Sequence, residues 1–497
     1  MEFTNINFLF VVLPVIVFLY YMLSRWVKAQ NVYLLVCSLI FYSSFGIYNL
    51  LWLVIATLIT YFGAWLGSVA LSNSNEIKWM NRIINIAICA NIGILVLFKA
   101  YDFIINSVVV KIGCIQCSTD FQSILLPIGM SFYAFQSTSY LIDVKRGKIS
   151  YEKNIIDYAL YVAFFPTVIS GPIQRSDKLL RQIKRNRELN IICLEKGFIT
   201  LLYGLFLKWM IADRIAIYTN KVFGDTNQYK GVYLIIAIIL YSVQIYADFA
   251  GYTYLAIAIA RMLGFELVGN FNRPYLAKGF VDFWRRWHIS LTSWLRDYIY
   301  IPLGGNRKGT NRKYFNILVV FLISGIWHGT SWNYVIWGII HGGLQVLELS
   351  TEAIRDKLSK ILGYERTSVG HRVFSSIVVY LVCSIVWVFF RIDSVSKAVS
   401  ILASCCKDIN PWVIFDGSLL GVGLSYTQWV ILFCSILVLL VISLLQEKNC
   451  SLVTWEAWSK QRFLPKVIQT TLCVFILLIF GVYGSKYSST GFIYANF

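Results

Sequence analysis

The sequence predicts an all-α polytopic membrane protein of about 11 transmembrane helices, with re-entrant and interfacial helices arranged around a central funnel or tunnel. Three observations carry that prediction. Of the 497 residues, 58% are hydrophobic and only 14% are charged, and the mean hydropathy is +0.66, which leaves too little polar surface to enclose a soluble core. Apolar runs of about 20 residues, enough to cross about 30 Å of hydrocarbon, recur along the chain. The formal net charge of +19 sits in short loops between those runs, as positive-inside topology and anionic headgroups favour, so membrane lipids are expected as partners and nucleic acid is not.

In order, the candidate spans lie near 6–24, 31–47, 49–71, 84–108, 122–142, 197–217, 232–262, 315–327, 331–349, 374–391, 427–445 and 466–484. Several are short, broken by glycine or interrupted by charge, which reduces the estimate to about 11. The opening MEFTNINFLFVVLPVIVFLYYMLSRWVK has no basic stretch ahead of its apolar run and no small-residue cleavage pattern after it, so it reads as a retained first span. Most of the 11 cysteines lie in apolar segments and act there as small hydrophobes. Cys114 and Cys117 differ: they lie in an interhelical stretch and allow a loop disulfide or, less well for want of a nearby histidine, a metal site. No inverted or parallel repeat of the kind many transporters carry is visible.

Two segments do not simply cross. IIDYALYVAFFPTVISGPIQ lies between the basic loops VKRGKISYEK and RSDKLLRQIKRNRELN and is broken by Pro166 and by Ser170-Gly171-Pro172. With both flanks cytoplasmic it must enter and return, a re-entrant segment near 154–174. Over 277–314, Arg285, Arg286, Arg296, Arg307, Lys308, Arg312 and Lys313 alternate with Trp284, Trp287, Trp294, Tyr298 and Tyr300. That is an interfacial or re-entrant pattern, with aromatics at headgroup depth and cations toward phosphate. Non-helical backbone at membrane depth is tolerated only inside protein or beside a wet cavity, hence the predicted funnel.

Chemistry concentrates in the histidines, of which the chain has four. Imidazole serves as acid or base near neutral pH, and here it is placed where polar groups are costly. His328 ends an apolar run between Trp327 and Gly329, and the glycine has no side chain to block an approaching molecule; the competing reading is a helix-packing hydrogen bonder. His288, among Arg285, Arg286 and Trp287, fits an interfacial residue equally well. His341 lies on the following helix, 13 residues beyond His328, about 20 Å along the axis if that helix is straight, too far to share a reacting atom, and reads as structural. His371 sits in a polar loop. Even with Asp248 or Asp282 added, no H-x-x-x-H or H-E-x-x-H spacing supports a metal site, and no G-x-S-x-G elbow supports serine hydrolysis. What remains is a histidine base acting on a substrate that brings its own nucleophile, which suits acyl transfer to a hydroxyl. As an unpaired ion at a bilayer centre Asp248 would cost about 2.5–3.5 kcal/mol, so it is expected to face the protein interior with a partner.

These residues belong to a set of motifs that resembles the membrane-bound O-acyltransferase superfamily, in the branch of the membrane subunit of alginate O-acetyltransferase, with the D-alanyl transferase of teichoic acid synthesis more distant. The motifs are Tyr140-Leu141-Ile142-Asp143 with a basic loop after it, Phe164-Phe165-Pro166 leading to Ser170-Gly171-Pro172-Ile173, and Asp248-Phe249 with Gly251-Tyr252. They continue through Asn270-Phe271-Asn272-Arg273-Pro274-Tyr275, Phe283-Trp284-Arg285-Arg286-Trp287-His288-Ile289-Ser290, Tyr300-Ile301-Pro302-Leu303-Gly304-Gly305-Asn306, Trp327-His328-Gly329 and the tail Phe492-Ile493-Tyr494 ahead of Phe497. The resemblance implies that His328 is the essential catalytic histidine, that His288 lines the same tunnel, and that an acyl group passes from a cytoplasmic donor to an acceptor outside. On this reading Arg285, Arg286, Trp287, Ser290, Arg296, Asn306 and Trp327 line the donor and substrate path, Asp248 and His341 are polar residues of the core, and there is no metal. For the basic residues the competing reading is positive-inside anchoring. One departure stands out: after Asp248-Phe249 relatives commonly continue Ser-Gly-Tyr-Ser-Asp, whereas this chain reads Ala250-Gly251-Tyr252-Thr253-Tyr254, so acceptor choice or local hydrogen bonding is expected to differ.

The resulting expectation is one integral-membrane domain over 1–497, with N-terminal helices over 1–120, a catalytic core over 121–349 containing re-entrant segments near 154–174 and 277–314, and C-terminal helices over 350–497. It is a multi-pass protein of the inner or plasma membrane that moves an acetyl group from a thioester to hydroxyls of an exported or cell-surface polysaccharide, with His328 as base. No cofactor is bound; the acyl thioester, acetyl-CoA or an acylated carrier protein, is a substrate. An extracytoplasmic acyl-transfer protein is the expected partner. D-alanyl transfer from a carrier to teichoic acid is the nearest alternative, and a polysaccharide transporter or flippase is the alternative from another class; the latter would show repeat symmetry and tolerate loss of His328.

Overall fold

The computed structural model describes residues 3–74, 77–104, 126–448, 458–459 and 461–483; the Cys114 and Cys117 pair and the Phe492-Ile493-Tyr494 tail lie outside them. Every regular element among the described residues is a helix. Six of these helices are long and apolar enough to cross a membrane: Ile47–Ser72, Ile77–Tyr101, Val232–Met262, Val369–Arg391, Tyr426–Glu447 and Phe463–Phe480. The larger number read from the sequence includes helices that are shorter or carry charge, such as the 16-residue Met130–Lys145 and the Thr310–His328 helix, with Arg312 and Lys313 in its first turn. Many apolar side chains on the long helices face outward, for instance Phe433 at 70% and Ile479 at 67% exposure, as lipid-facing positions require.

The chain forms two compact units, one built on Met1–Leu201 and Tyr252–Gly269, the other on Leu202–Gly251 and Asn270–Ile493. At the centre of the first lies Met130–Lys145, buried on nearly every side although it carries Ser131, Gln136, Ser137, Thr138 and Ser139. A buried polar side chain must find partners. Asn91 donates to the Ala134 carbonyl at 3.0 Å and to the Thr138 hydroxyl at 2.9 Å, and the Gln136 carboxamide spans the Tyr161 carbonyl and the Gln174 amide N–H. The segment read as re-entrant is a helix, Ile155–Ala163, started by an Asn154 side-chain cap. It breaks at Phe164, and turns carry the chain to the helix Ser176–Ile183. Pro166 and the Ser170-Gly171-Pro172 run make that break, and its irregular backbone is enclosed by protein: Phe164 and Phe165 are fully buried, and the Ser38 hydroxyl accepts from the Phe165 N–H at 3.1 Å.

The second unit is organised around a helical hairpin, Thr310–His328 and Trp332–Ser350. The two helices approach closely because glycines line the contact: a Cβ at Gly325 would fall on the Tyr334 carbonyl, and one at Gly338 on the Phe321 carbonyl. The hairpin turns at Gly329–Ser331, which leaves His328 as the last residue of its helix.

Candidate active site

His288 reaches the core from the aromatic and basic segment. Phe280–Arg286 is a short helix, Trp287 is extended, His288 takes φ 44°, and Ile289–Leu295 resumes the helix. Among the described residues only His288 and Arg273 are non-glycine positions with positive φ, a conformation that persists only where the surroundings impose it. Here they do so from both sides. The Glu348 carboxylate, on the second hairpin helix, accepts from the N–H groups of Phe280 and Val281 and so caps the short helix. Asn270 holds the far side, its carbonyl accepting from Ile289 N–H at 2.9 Å and its side-chain oxygen from Ser290 N–H at 3.3 Å. The Asn272 N–H donates to the Arg286 carbonyl at 2.9 Å, and the Phe271 ring packs edge-on against Trp287 at 5.1 Å.

The clamp brings His288 to His328. Their ring centroids are 6.3 Å apart, and both residues are buried. Aromatic rings enclose the pair: Phe249 meets His288 edge-on at 4.7 Å, while Trp327, Trp337 and Phe390 pack on His328 at 4.8, 5.1 and 5.4 Å. His341 is nearer than expected. Its ring lies 5.0 Å from that of Trp337, which also packs 5.1 Å from His328, and its Nδ1 accepts from the Trp284 indole N–H at 3.4 Å. The straight-helix distance of about 20 Å counted the turn residues as helix and left out side-chain reach: His341 stands level with Phe321, and the Trp337 ring spans from it to His328. The Trp337 indole touches both imidazoles. His371 likewise lies in the first turn of the Val369–Arg391 helix, not in a loop.

Asp248 has the partner its burial demanded. The Lys208 ammonium lies 2.7 Å from Asp248 and 2.8 Å from Asp213. Lys208 stands on a widened π-helical stretch, Phe206–Ala212, which runs directly into the helix beginning at Asp213. Neither Lys208 nor Asp213 was singled out in the sequence; a lysine inside an apolar run was the available signal. Asn270 was quoted only as part of a motif, and its role in holding His288 depends on contacts that spacing does not reveal.

Of the residues assigned to the donor path, Trp287, Ser290 and Trp327 are buried around the pair. Arg286 is engaged by two carboxylates, bidentate to Glu447 at 2.9 and 3.0 Å and at 3.0 Å from Asp282, and Arg273 reaches the same Glu447 at 3.3 Å. The Glu447 hydrogen bonds, and then Asp282, hold the Arg286 guanidinium above its ordinary range, so it stays charged. Arg285 is exposed. Arg296 and Asn306 lie together farther along, where Arg296, Tyr300, Ile301, Gly304–Asn306, Arg307 and Lys308 line a cavity of about 520 Å³. Among the described residues, no three potential metal ligands converge.

Fold and site together define a multi-pass membrane protein with an imidazole pair enclosed by aromatic rings. The profile of the membrane-bound O-acyltransferase family matches residues 34–387, and the chain belongs to that family: it is an O-acyltransferase. It is 35% identical to a probable alginate O-acetylase of Pseudomonas putida over 80% of this chain and 79% of that one. It is 31% identical to a peptidoglycan O-acetyltransferase of Helicobacter pylori over 80% and 78%. With a teichoic acid D-alanyltransferase of Bacillus subtilis the identity is 28%, over 44% of this chain and 57% of that one.

Proposed function

We propose that the protein moves an acetyl group from a cytoplasmic thioester to hydroxyls of an exported or cell-surface polysaccharide, with His328 as the general base. The observation that carries this reading is the buried His288–His328 pair, whose 6.3 Å centroid separation lets both rings reach one small group lying between them. The acceptor oxygen attacks the thioester carbonyl carbon as His328 takes its proton. The C–O bond forms, His288 donates to the developing oxyanion, the C–S bond breaks, and the proton passes from His328 to the departing thiolate. The products are an ester and a free thiol. Aromatic walls exclude water, which limits hydrolysis of the thioester and strengthens each polar contact.

The cationic cavity of Arg296, Arg307 and Lys308 suits the phosphates of a coenzyme or phosphopantetheine carrier. Arg285 stands exposed on the same segment, while Arg286, held by Glu447, acts as a brace. The extracytoplasmic partner and the cell membrane as location follow from the direction of transfer. The match to a D-alanyltransferase keeps a second donor, a D-alanyl carrier, in view, but it spans less than half of this chain.

Membrane vesicles with the cytoplasmic face outward separate these donors. Label should enter base-labile ester on the enclosed polysaccharide from [14C]acetyl-CoA or an acetylated carrier, and not from a D-alanyl carrier. The reverse pattern would replace acetyl transfer by D-alanyl transfer.

A further inference from the structure

Away from the histidine pair, a second cavity, of about 240 Å³, is lined by Lys278, Asp356, Arg366, His371, Arg372 and Ser375. Three permanent cations meet a single carboxylate there, and that carboxylate, Asp356, is paired with Arg366. His371 is fixed at the rim by the Ser375 hydroxyl at 3.3 Å and by the Tyr364 ring at 5.1 Å. His371 and Arg372 occupy the first turn of the Val369–Arg391 helix, and no acidic residue accompanies them there. The helix dipole disfavours a cation such as Arg372 at that end, so helix stability does not account for its placement; positive-inside topology favours it there, and so would a bound anion.

The neighbouring surface shows which anion. The helix Glu352–Ile361 and the residue after it leave Ile354, Leu358, Ile361 and Leu362 exposed at 66, 48, 69 and 63%. Their spacing puts them on one face, while Arg355, Asp356, Lys357 and Lys360 occupy the other, the pattern of a helix lying in the membrane interface. Val369, Val373 and Phe374, at the start of the adjoining membrane-crossing helix, are exposed as well. The cavity lies on the polar side of that helix, with Asp356, so its cations stand at headgroup level while the apolar side chains face the hydrocarbon.

We propose that this cavity binds the headgroup of an anionic phospholipid, its phosphate held by Lys278, Arg366 and Arg372 at the level of the interfacial helix and its acyl chains running into the hydrocarbon below. The site also bears on the catalytic segment. The Lys278 N–H donates to Asp282 at 3.2 Å, and Asp282 holds Arg286 at 3.0 Å, two residues before His288.

The test uses the full chain in nanodiscs of phosphatidylcholine with or without phosphatidylglycerol, read by native mass spectrometry of retained lipid and by melting temperature. Wild type should retain phosphatidylglycerol several-fold over phosphatidylcholine and melt higher in its presence. The Lys278→Ala/Arg366→Ala/Arg372→Ala variant should lose both effects, and the charge-conserving Lys278→Arg/Arg372→Lys variant should keep them. A control that removes three exposed cations elsewhere, Lys230→Ala/Lys397→Ala/Lys407→Ala, should also keep them. Equal retention of the two lipids by wild type, or equal loss in the control, would overturn the proposal. So would inorganic phosphate alone reproducing the melting shift, since that defines a free-anion site. None of these readouts depends on acyl transfer.

Discussion

His288 performs two tasks that compete. It places an imidazole 6.3 Å from His328, and it holds a left-handed backbone that an L-residue enters at a cost of about 1–2 kcal/mol. The cost falls on shape, so the side chain installed there matters beyond its chemistry. His288→Asn, which tolerates this conformation, should keep a melting temperature near wild type, whereas His288→Val, branched at Cβ, should melt lower and lose about 10²–10³-fold in rate. Asn270 gives the complementary case. Asn270→Ala removes the acceptor for Ser290 N–H, leaves the backbone bond to Ile289 in place, and should cost about 1 kcal/mol of stability. Because it loosens the ring without touching substrate, kcat should fall while KM holds; a raised KM at constant kcat would place Asn270 in substrate binding instead.

At the scale of elements, the site depends on how the segments flanking His288 and His328 are pinned. The short helix before His288 is capped by Glu348 from the hairpin and braced through Arg286 by Glu447, the last residue of Tyr426–Glu447. The Phe249 ring on His288 belongs to the Val232–Met262 helix, which the adjacent Asp248 ties to Lys208 on the π-helical stretch. Lys208→Met would leave the carboxylates of Asp248 and Asp213 without their shared cation, and should destabilise the protein by about 3–5 kcal/mol. Lys208→Met/Asp248→Asn should recover part of that loss. Thermal melts in detergent check both, and no recovery in the double variant would mean that the lysine acts by packing, not by charge.

Across the whole molecule, the helices were legible because bilayer thickness writes itself into the length of apolar runs. The breaks at Pro166 and Ser170-Gly171-Pro172 were legible because proline and glycine punctuate locally. The histidine neighbourhood was legible only as a resemblance of motifs. Spacing says nothing about two residues 40 positions apart, and it put His341 too far from His328 because a count along the axis includes the turn residues and omits the Trp337 ring that spans the gap. The Lys208–Asp248 pair, also 40 apart, and the Asn270 clamp were hidden for the same reason: long-range partners are set by packing.

The central claim, that His328 drives acyl transfer, is tested most directly by the acetate that mild base releases from surface polysaccharide. Cells carrying wild type, His328→Ala and His288→Ala should be compared, with membrane abundance of each protein and export of the glycan measured alongside. The account predicts ester reduced by about 10²–10⁴-fold in rate for His328→Ala and about 10²–10³-fold for His288→Ala, with normal abundance and export. Ester at the wild-type level in the His328→Ala cells would contradict it.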